Sequence, residues 1–364
     1  MQIIRTILFP IALLYGAAVY VRNFLFDIGI KKSTSFSRAV VCIGNLTVGG
    51  TGKTPHTEHL INLLKDDFNV ATLSRGYKRR TKGFLLASSS STASDIGDEP
   101  MQMQTKFPGI TVAVDEQRVR GIKTLLQQKP STDVILLDDA FQHRYVKPGL
   151  AILLTDYNNL IYKDFFLPTG TLRDSFAQRK RANVVIVTKC PSDLSDVDQQ
   201  KIIGKLKLQS NQQVYFTTYT YGSIEPVFSD ANTAINPNSQ PNVIALAGIA
   251  NPKPFFGYLK DLYAVDRTIQ LPDHYHFTEK KIRAIFERIS VLKNRPTIVI
   301  TTEKDAARIK EFNNLPAEVK RVFYFIPIRV SFLNGNEEEF NCKIHEYARE
   351  SKRNNGLHSQ QGNR

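Results

Sequence analysis

The amino-acid sequence predicts an α/β protein with a mainly parallel sheet, helices on both faces of that sheet, a smaller C-terminal α/β domain and an N-terminal amphipathic or apolar helix. Three observations predict this architecture. Short apolar runs typical of buried strands alternate with helix-compatible stretches, the alternation restarts after residue 240, and one long apolar segment precedes it. With 42% hydrophobic residues and only 20 Gly and 17 Pro among 364 residues, the composition excludes a fibrous or wholly disordered chain.

The first element is the apolar segment at residues 7–21, within an N-terminal region of residues 1–38. As a helix this segment spans about 22 Å, which is shorter than the bilayer core of about 30 Å that takes roughly 20 helical residues to cross. A buried core helix, a signal peptide and a membrane-spanning segment are the alternatives, although a clear small-x-small cleavage site is missing. We expect a membrane-associating helix lying in the interface, with basic residues available to anionic headgroups: Arg5, Arg22, Lys31, Lys32 and Arg38.

The main sheet is predicted within residues 39–213, from apolar runs at 39–43, 69–73, 110–114, 133–137, 150–154 and 184–187. The Tyr- and Thr-rich stretch that follows predicts an extended linker over 214–240. A smaller α/β domain over 241–342 is predicted from runs at 243–247, 297–301 and 322–326, with helices near 253–262 and 278–293. Residues 343–364 are polar and predict a disordered tail.

A glycine-rich loop, GNLTVGGTGKTP, directly follows the first apolar run and precedes a helix-compatible stretch. Strand, glycine loop, GKT and helix are the context of a P-loop, although Thr47 stands where the motif has its first glycine. In such a loop, backbone N–H groups hold phosphates, Lys53 reaches the β- and γ-phosphates, and the Thr54 hydroxyl ligates Mg²⁺. The loop predicts a P-loop NTPase-like fold and an ATP-binding set: Thr47, Val48, Gly49, Gly50, Thr51, Gly52, Lys53 and Thr54.

Two adjacent acids, Asp138 and Asp139, end the apolar run at 133–137. This is the form of the Walker B segment that positions the metal in P-loop enzymes, and a plain turn is the alternative. The element that selects guanine in GTPases would follow a later strand. In TKCPSD, at residues 188–193, its aspartate falls too late, which favours ATP over GTP.

Two further motifs carry candidate catalytic groups. GDEP, at residues 97–100, opens a predicted helix and contains Asp98 and Glu99. DHYHF, at residues 273–277, lies in the second half of the chain. For either motif alone, helix capping or a surface histidine is an alternative interpretation.

The motifs together resemble the tetraacyldisaccharide 4′-kinases, the lipid A 4′-kinases of Gram-negative bacteria. The resemblance extends in order from the N-terminal apolar segment to about residue 310. It rests on GNLTVGGTGKTP, SRGY, GDEP, LLDDAFQHR, LPTGTLRD, PDHYHF and TTEKDA.

This resemblance implies transfer of the ATP γ-phosphate to the 4′-hydroxyl of tetraacyldisaccharide 1-phosphate, forming lipid IVA in lipid A biosynthesis. The implied catalytic residues are Asp98 as base, His274 as its assistant, Lys53, and Arg173 of the LRD motif on the transferred phosphoryl group. The implied Mg²⁺ ligands are Thr54, Asp138, Asp139 and Glu99, and the implied substrate contacts are Arg75, Tyr77 and Gln142.

The net charge of +14 is concentrated in four segments. The excess of Lys and Arg over Asp and Glu falls at the N-terminus, in RGYKRRTK, in RDSFAQRKR and in the tail. Local patches favour an anionic membrane surface and a phosphorylated glycolipid, with no nucleic acid expected. We therefore expect a peripheral or monotopic protein at the cytoplasmic face of the inner membrane. A P-loop GTPase or metallochaperone-like NTPase and a nucleic-acid-binding ATPase remain as alternatives.

Overall fold

A computed structural model describes residues 2–228, 241–273, 275–290, 297–312 and 314–361. The chain forms two compact units. The first contains the segments up to Tyr219 and from Val330 onward, and the second contains Thr220–Arg329. The second unit is therefore an insertion in the sequence of the first.

The chain begins with α1 (Gln2–Asp27), a helix of 26 residues and about 39 Å, longer than the predicted apolar segment. By length and composition alone, its stretch Leu8–Asp27, with a mean hydropathy of 1.5, could cross a membrane. One face, including Ala12, Val19 and Phe26, is buried against the first unit. The opposite face exposes large apolar side chains: Ile11, Leu14, Tyr20, Val21 and Phe24.

Arg22, one of the cations expected at the membrane, points instead toward the rest of the first unit. Arg22 forms an ion pair of 3.0 Å with Asp174, whose side chain is completely buried. The expectation that Arg22 faces headgroups is therefore wrong, because a buried carboxylate requires a charged or hydrogen-bonding partner.

The six predicted strands of the main sheet are present, and the sheet has three more, of which two precede the second unit in the chain. The strands are β1 (Ala39–Asn45), β2 (Val70–Ser74), β3 (Leu85–Leu86), β4 (Thr111–Val114), β5 (Val134–Asp138), β6 (Leu150–Asp156), β7 (Val184–Thr188) and β8 (Gln213–Tyr221). The helices between them are α2 (Lys53–Leu64), α3 (Ala93–Ile96), α4 (Asp98–Lys106), α5 (Arg118–Gln128) and α6 (Asp196–Leu206).

The second unit has a five-stranded sheet. Its elements are β9 (Glu225–Pro226), β10 (Asn242–Ala247), α7 (Lys253–Leu262), β11 (Val265–Gln270), α8 (Glu279–Ser290), β12 (Thr297–Thr302), α9 (Glu303–Ile309), α10 (Ala317–Lys320) and β13 (Phe323–Ile326). The strand order is β11-β10-β12-β13-β9, with β9 alone antiparallel to its neighbour. The sequence did not predict β11, whose side chains are mostly exposed.

The chain then returns to the first unit through β14 (Ile328–Phe332) and α11 (Glu337–Gln361). The nine-stranded sheet has the order β14-β8-β7-β6-β1-β5-β2-β4-β3. Side chains of α2 and α11 bury one face of this sheet, and those of α5 and α6 bury the other. The predicted fold class, a mainly parallel sheet with helices on both faces and a smaller α/β domain, is confirmed.

The predicted linker and the predicted disordered tail both begin within regular elements. The extended linker predicted over 214–240 begins inside β8, which pairs in parallel with β7 and buries Tyr215 and Phe216. Its residues 229–240 lie outside the described part of the chain. The predicted disordered tail over 343–364 lies within α11 up to Gln361. A single apolar stripe on a polar helix provides the burial that holds this element: Phe340, Ile344 and Ala348.

We predict that Phe340→Ala destabilises the first unit by about 3–5 kcal/mol, because removing a buried aromatic ring leaves a cavity. The Phe340 ring is 1% exposed, and its centroid lies 4.8 Å from that of Phe332. Urea unfolding followed by circular dichroism would measure the change. The control, exposed Glu350→Ala on the same helix, should stay within about 0.5 kcal/mol of wild type; an equally small effect of Phe340→Ala would contradict a core role for α11.

Candidate active site

The candidate site lies at the carboxyl edge of the nine-stranded sheet. There β1 and β5 are parallel neighbours, and their register places Ile43 opposite Asp138. The glycine loop after β1 and the acidic pair at the end of β5 therefore meet at one edge.

The glycine loop ends at Gly52, whose φ of 88° is in the left-handed region. A Cβ at Gly52 would lie 1.9 Å from the Tyr219 hydroxyl, so only glycine fits. His56 Nδ1 donates to the Gly52 carbonyl (2.8 Å), and its Nε2 accepts from the Thr217 hydroxyl (3.1 Å). Burial lowers the pKa of His56 to about 4, so this clamp on the loop is uncharged at neutral pH.

The first turn of α2 is open to an anion. No side chain caps the helix at Gly52, and Lys53 is its first residue. The N–H groups of that turn and the positive end of the helix dipole are what phosphate oxygens require. This geometry supports the predicted nucleotide cradle.

Two residues that the motif analysis did not assign brace the loop from β7. Thr188 donates to the Thr51 carbonyl (2.9 Å). Lys189 donates to the Gly50 carbonyl and forms an ion pair of 2.6 Å with Asp156. Because Thr188 and Lys189 belong to the TKC segment, their position directly after a buried strand was the signal available in the sequence.

Asp138 and Asp139 occupy different electrostatic environments. Asp138 is buried and accepts from the Thr57 hydroxyl at 3.2 Å. Burial, reinforced by the neighbouring charges of Asp139 and Glu99, raises the pKa of Asp138 to about 6. A cation beside Asp138 would offset the cost of holding this carboxylate ionised.

Asp139 is shared by two cations. Lys53 Nζ lies 3.6 Å from its Oδ1, and the Arg173 guanidinium donates to both carboxylate oxygens, at 2.8 and 3.3 Å. Burial alone would raise the pKa of Asp139, but Lys53 and Arg173 outweigh it and hold that pKa below its ordinary value. Arg173 also donates to the Asn45 side chain at 2.5 Å. The arginine of the LRD motif therefore contacts both the glycine loop, through Asn45, and the acidic pair, through Asp139.

The SRGY and GDEP motifs meet through their glycines. A Cβ at Gly97 would lie 3.0 Å from the Tyr77 carbonyl, so the two backbones are in close contact. Gly97 directly precedes α4, whose first turn contains Asp98 and Glu99. Glu99 lies near enough to Asp138 for its negative charge to raise the pKa of that carboxyl.

A cluster of cations lies on the other side of Asp138. Buried Arg118, which the motif analysis missed, donates to the Asp115 carbonyl (2.7 Å) and toward the Asp138 carbonyl (3.4 Å). Burial, then the charges of Arg118 and Arg75, lower the pKa of His143 to about 4. Arg118 follows the end of β4, and that position was its only sequence signal.

The predicted substrate residues lie around this cluster. Arg75 is exposed, and the Tyr77 side chain is 63% exposed. Gln142 donates to the Asn45 carbonyl, next to the loop. His274 lies outside the described residues, so its predicted role stays a prediction.

Among the residues that the structure describes, no three His, Cys, Asp or Glu side chains form a ready-made metal cage. Mg²⁺ beside a nucleotide is usually held by one or two carboxylates together with the phosphates. The oxygen donors of Asp138, Thr54 and Glu99 suit Mg²⁺ by type.

Comparison with known proteins identifies a family match over almost the whole chain. A family model described as LpxK, tetraacyldisaccharide-1-P 4′-kinase, matches residues 4–348.

Curated relatives carry the same description. The chain is 48% identical to the tetraacyldisaccharide 4′-kinase of Bacteroides thetaiotaomicron over 360 residues, covering 96% of this chain and 95% of that protein. It is 46% identical to that of Flavobacterium johnsoniae over 351 residues, covering 96% and 99%. A crystal structure of LpxK from Aquifex aeolicus in complex with ATP matches with a TM-score of 0.73 and 27% identity, covering 94% of this chain and 99% of that one.

We predict that Arg75→Ala raises the pKa of His143 from about 4 toward its ordinary 6.5, because removing a nearby cation favours the charged imidazolium. The value should remain below 6.5, since burial and Arg118 persist. An NMR titration of the His143 ring would measure it. Lys82→Ala, an exposed cation of the same basic segment, is the matched control and should leave this pKa unchanged. An unchanged value in Arg75→Ala would show that Arg75 does not face His143.

Proposed function

The chain belongs to the tetraacyldisaccharide 4′-kinase family and transfers the γ-phosphate of ATP to the 4′-hydroxyl of tetraacyldisaccharide 1-phosphate, and we propose how its residues perform this reaction. The observation that carries the assignment is the family match over residues 4–348, on a chain whose P-loop and acidic pair meet at one sheet edge. The alternatives of a GTPase, a metallochaperone-like NTPase and a nucleic-acid-binding ATPase find no support in these relatives.

ATP binds with its phosphates on the open first turn of α2. The backbone of residues 47–54 surrounds them, and Lys53 neutralises charge on the β- and γ-phosphates. The support for this arrangement is the uncapped helix start and the position of Lys53 beside Asp139. Phosphoryl transfer depends mainly on such positioning and charge neutralisation.

Arg173 stabilises the phosphoryl group in the transition state of its transfer. Its guanidinium and the Lys53 ammonium both pair with Asp139, so the two cations are held beside the same carboxylate. Charge that develops on the equatorial oxygens then meets two preorganised positive groups, which costs little reorganisation.

Asp138 and Thr54 would hold Mg²⁺, with Glu99 and Asp139 nearby. When bound, the ion would supply positive charge that offsets the negative charge of the phosphate oxygens. The support is the donor set and the raised pKa of Asp138, which reflects a buried carboxylate in need of a counter-charge. Asp139 contributes mainly by holding Lys53 and Arg173.

Asp98 accepts the proton of the 4′-hydroxyl as the new P–O bond forms, and His274 assists it. The family resemblance supports this pairing, and the position of Asp98 in the first turn of α4, next to Glu99, is compatible with it. A carboxylate in contact with a sugar hydroxyl is a reasonable base, because proton transfer accompanies bond formation.

The substrate is a phosphorylated glycolipid, so its headgroup brings negative charge. Arg75 and Tyr77 are exposed and contact this headgroup, and Gln142, which donates to the Asn45 carbonyl, contacts it beside the phosphate loop. The positive charges of Arg75 and Arg118, which both act on His143, favour an anionic headgroup here.

The exposed apolar face of α1 brings the enzyme to the acyl chains of its substrate. Leu14 and Tyr20 are 73% and 69% exposed on this face, while the opposite face packs on the protein. A helix with one face on the protein and one apolar face outward suits peripheral attachment at an anionic membrane surface. We assign this attachment to the cytoplasmic face of the inner membrane, where ATP is present.

Asp98→Asn is predicted to lower kcat about 10²–10⁴-fold, because it removes the base without changing the side chain's shape. The assay follows transfer of label from γ-labelled ATP to tetraacyldisaccharide 1-phosphate in the presence of Mg²⁺. Asp95→Asn is the matched control: this exposed carboxylate caps α3 through Thr92, and the variant should retain kcat.

His274→Ala should also lower kcat in the same assay. Wild-type kcat in His274→Ala, with Asp98→Asn inactive, would exclude the paired role. Hydrolysis of ATP without labelled lipid in the wild type would contradict the proposed function itself.

A double variant, Leu14→Ser with Tyr20→Ser, is predicted to bind vesicles of phosphatidylglycerol and phosphatidylethanolamine roughly tenfold or more weakly, because exposed apolar area is lost. Flotation measures the binding. Val197→Ser, an equally exposed apolar residue on α6, is the control and should bind like wild type. If both proteins float equally, α1 does not contact the membrane through this face.

A further inference from the structure

The LPTGTLRD segment lies directly against the first residues of the phosphate loop. Its Thr171 carbonyl accepts from the Val48 N–H, and its Arg173 N–H donates to the Leu46 carbonyl, each at 2.7 Å. These two backbone hydrogen bonds join the segments at both ends of a short antiparallel contact. Moving one segment therefore moves the other.

The same segment is held from the opposite side by α1. The completely buried carboxylate of Asp174 accepts from Asn23 Nδ2 at 2.7 Å and from the Arg22 guanidinium at 3.0 Å. It also accepts from the Ser175 N–H at 2.8 Å. A buried carboxylate is tolerated only with such partners, so two of its three donors come from the N-terminal helix.

A second contact fixes the backbone of the adjacent residue. The Tyr15 hydroxyl donates to the Arg173 carbonyl at 3.0 Å. The Tyr15 ring also meets Phe166 edge-on, with 6.1 Å between centroids. The Arg173 main chain is thus held between α1 and the phosphate loop, while its side chain reaches Asp139 and Asn45.

We propose that α1 is a structural part of the phosphoryl-transfer site: Asp174, through Arg22 and Asn23, positions Arg173 and the start of the phosphate loop. These are positioning residues, because they act through Arg173 and contact neither nucleotide nor lipid. The inference rests on the role of Arg173 proposed above. It gives the docked face of α1 a function separate from that of its exposed apolar face.

The two faces can be tested separately. Asn23→Ala is expected to lower kcat about 10- to 100-fold, with the KM for lipid and binding to phosphatidylglycerol vesicles unchanged. Asp27→Asn is the matched control, since it removes another ion pair of α1, to Arg144 at 2.6 Å, and keeps Arg144 itself, which donates to the Asn23 carbonyl at 2.9 Å. Its kcat should stay within about twofold of wild type. A loss of vesicle binding with unchanged kcat in Asn23→Ala would overturn the proposal.

Conservative rescue distinguishes positioning from general damage. Arg22→Ala should lower kcat, and Arg22→Lys should restore most of it, because a single ammonium can still donate to Asp174. Asp174→Asn should behave like Arg22→Ala, and thermal unfolding of each variant would exclude a folding defect. Equal kcat in Arg22→Ala and wild type would overturn the proposal even if Asp174→Asn failed to fold.

A double-mutant cycle tests the route through Arg173. In an Arg173→Ala background, Asn23→Ala should lower kcat by no more than about twofold further, because the group it positions is gone. If the two losses multiply, Asn23 acts independently of Arg173 and the proposal is wrong, while the kinase function stands. If Arg173→Ala itself keeps wild-type kcat, the role proposed for Arg173 fails and this inference fails with it. Absence of lipid phosphorylation by the wild type would instead contradict the proposed function.

Discussion

Two adjacent carboxylates, Asp138 and Asp139, are the charges around which the rest of the first unit is arranged. Both lie at the end of a buried strand, where uncompensated negative charge is costly. Lys53 and Arg173 balance Asp139, and Arg118, which follows β4, reaches the backbone carbonyl of Asp138. The P-loop and the LRD motif are therefore tied together by one electrostatic requirement. The same requirement makes Asp138 a suitable place for a metal ion.

Arg173 extends this arrangement outward to the N-terminal helix. Its backbone pairs with the phosphate loop, and the next residue, Asp174, is buried against Arg22 and Asn23. A helix that the sequence marks by apolarity thus has two polar residues, Arg22 and Asn23, among the positions that face the protein. In our two proposals, attachment to the membrane and construction of the active site use opposite faces of this one helix.

The elements that the sequence predicted well are those with strong local signals. The strands of the main sheet are continuous apolar runs, because a parallel sheet covered on both faces has no polar side. The C-terminal helix α11 was missed because only Phe340, Ile344 and Ala348 mark its buried stripe on a largely polar segment. The sequence predicts a linker at β8 because its Tyr and Thr residues indicate extended backbone but do not show which strand that backbone pairs with.

By itself, the sequence determined the α/β class, the phosphate loop with Lys53, and the acidic pair, because each depends on neighbours within a few residues along the chain. Tertiary structure alone decided which cation meets which carboxylate. Arg22, which local pattern placed among the headgroup-facing cations, lies on Asp174, and Arg118, which belongs to no motif, lies beside Asp138. The physical reason is that the free energy of a buried charge depends on partners brought close by packing, and these partners are distant in the chain.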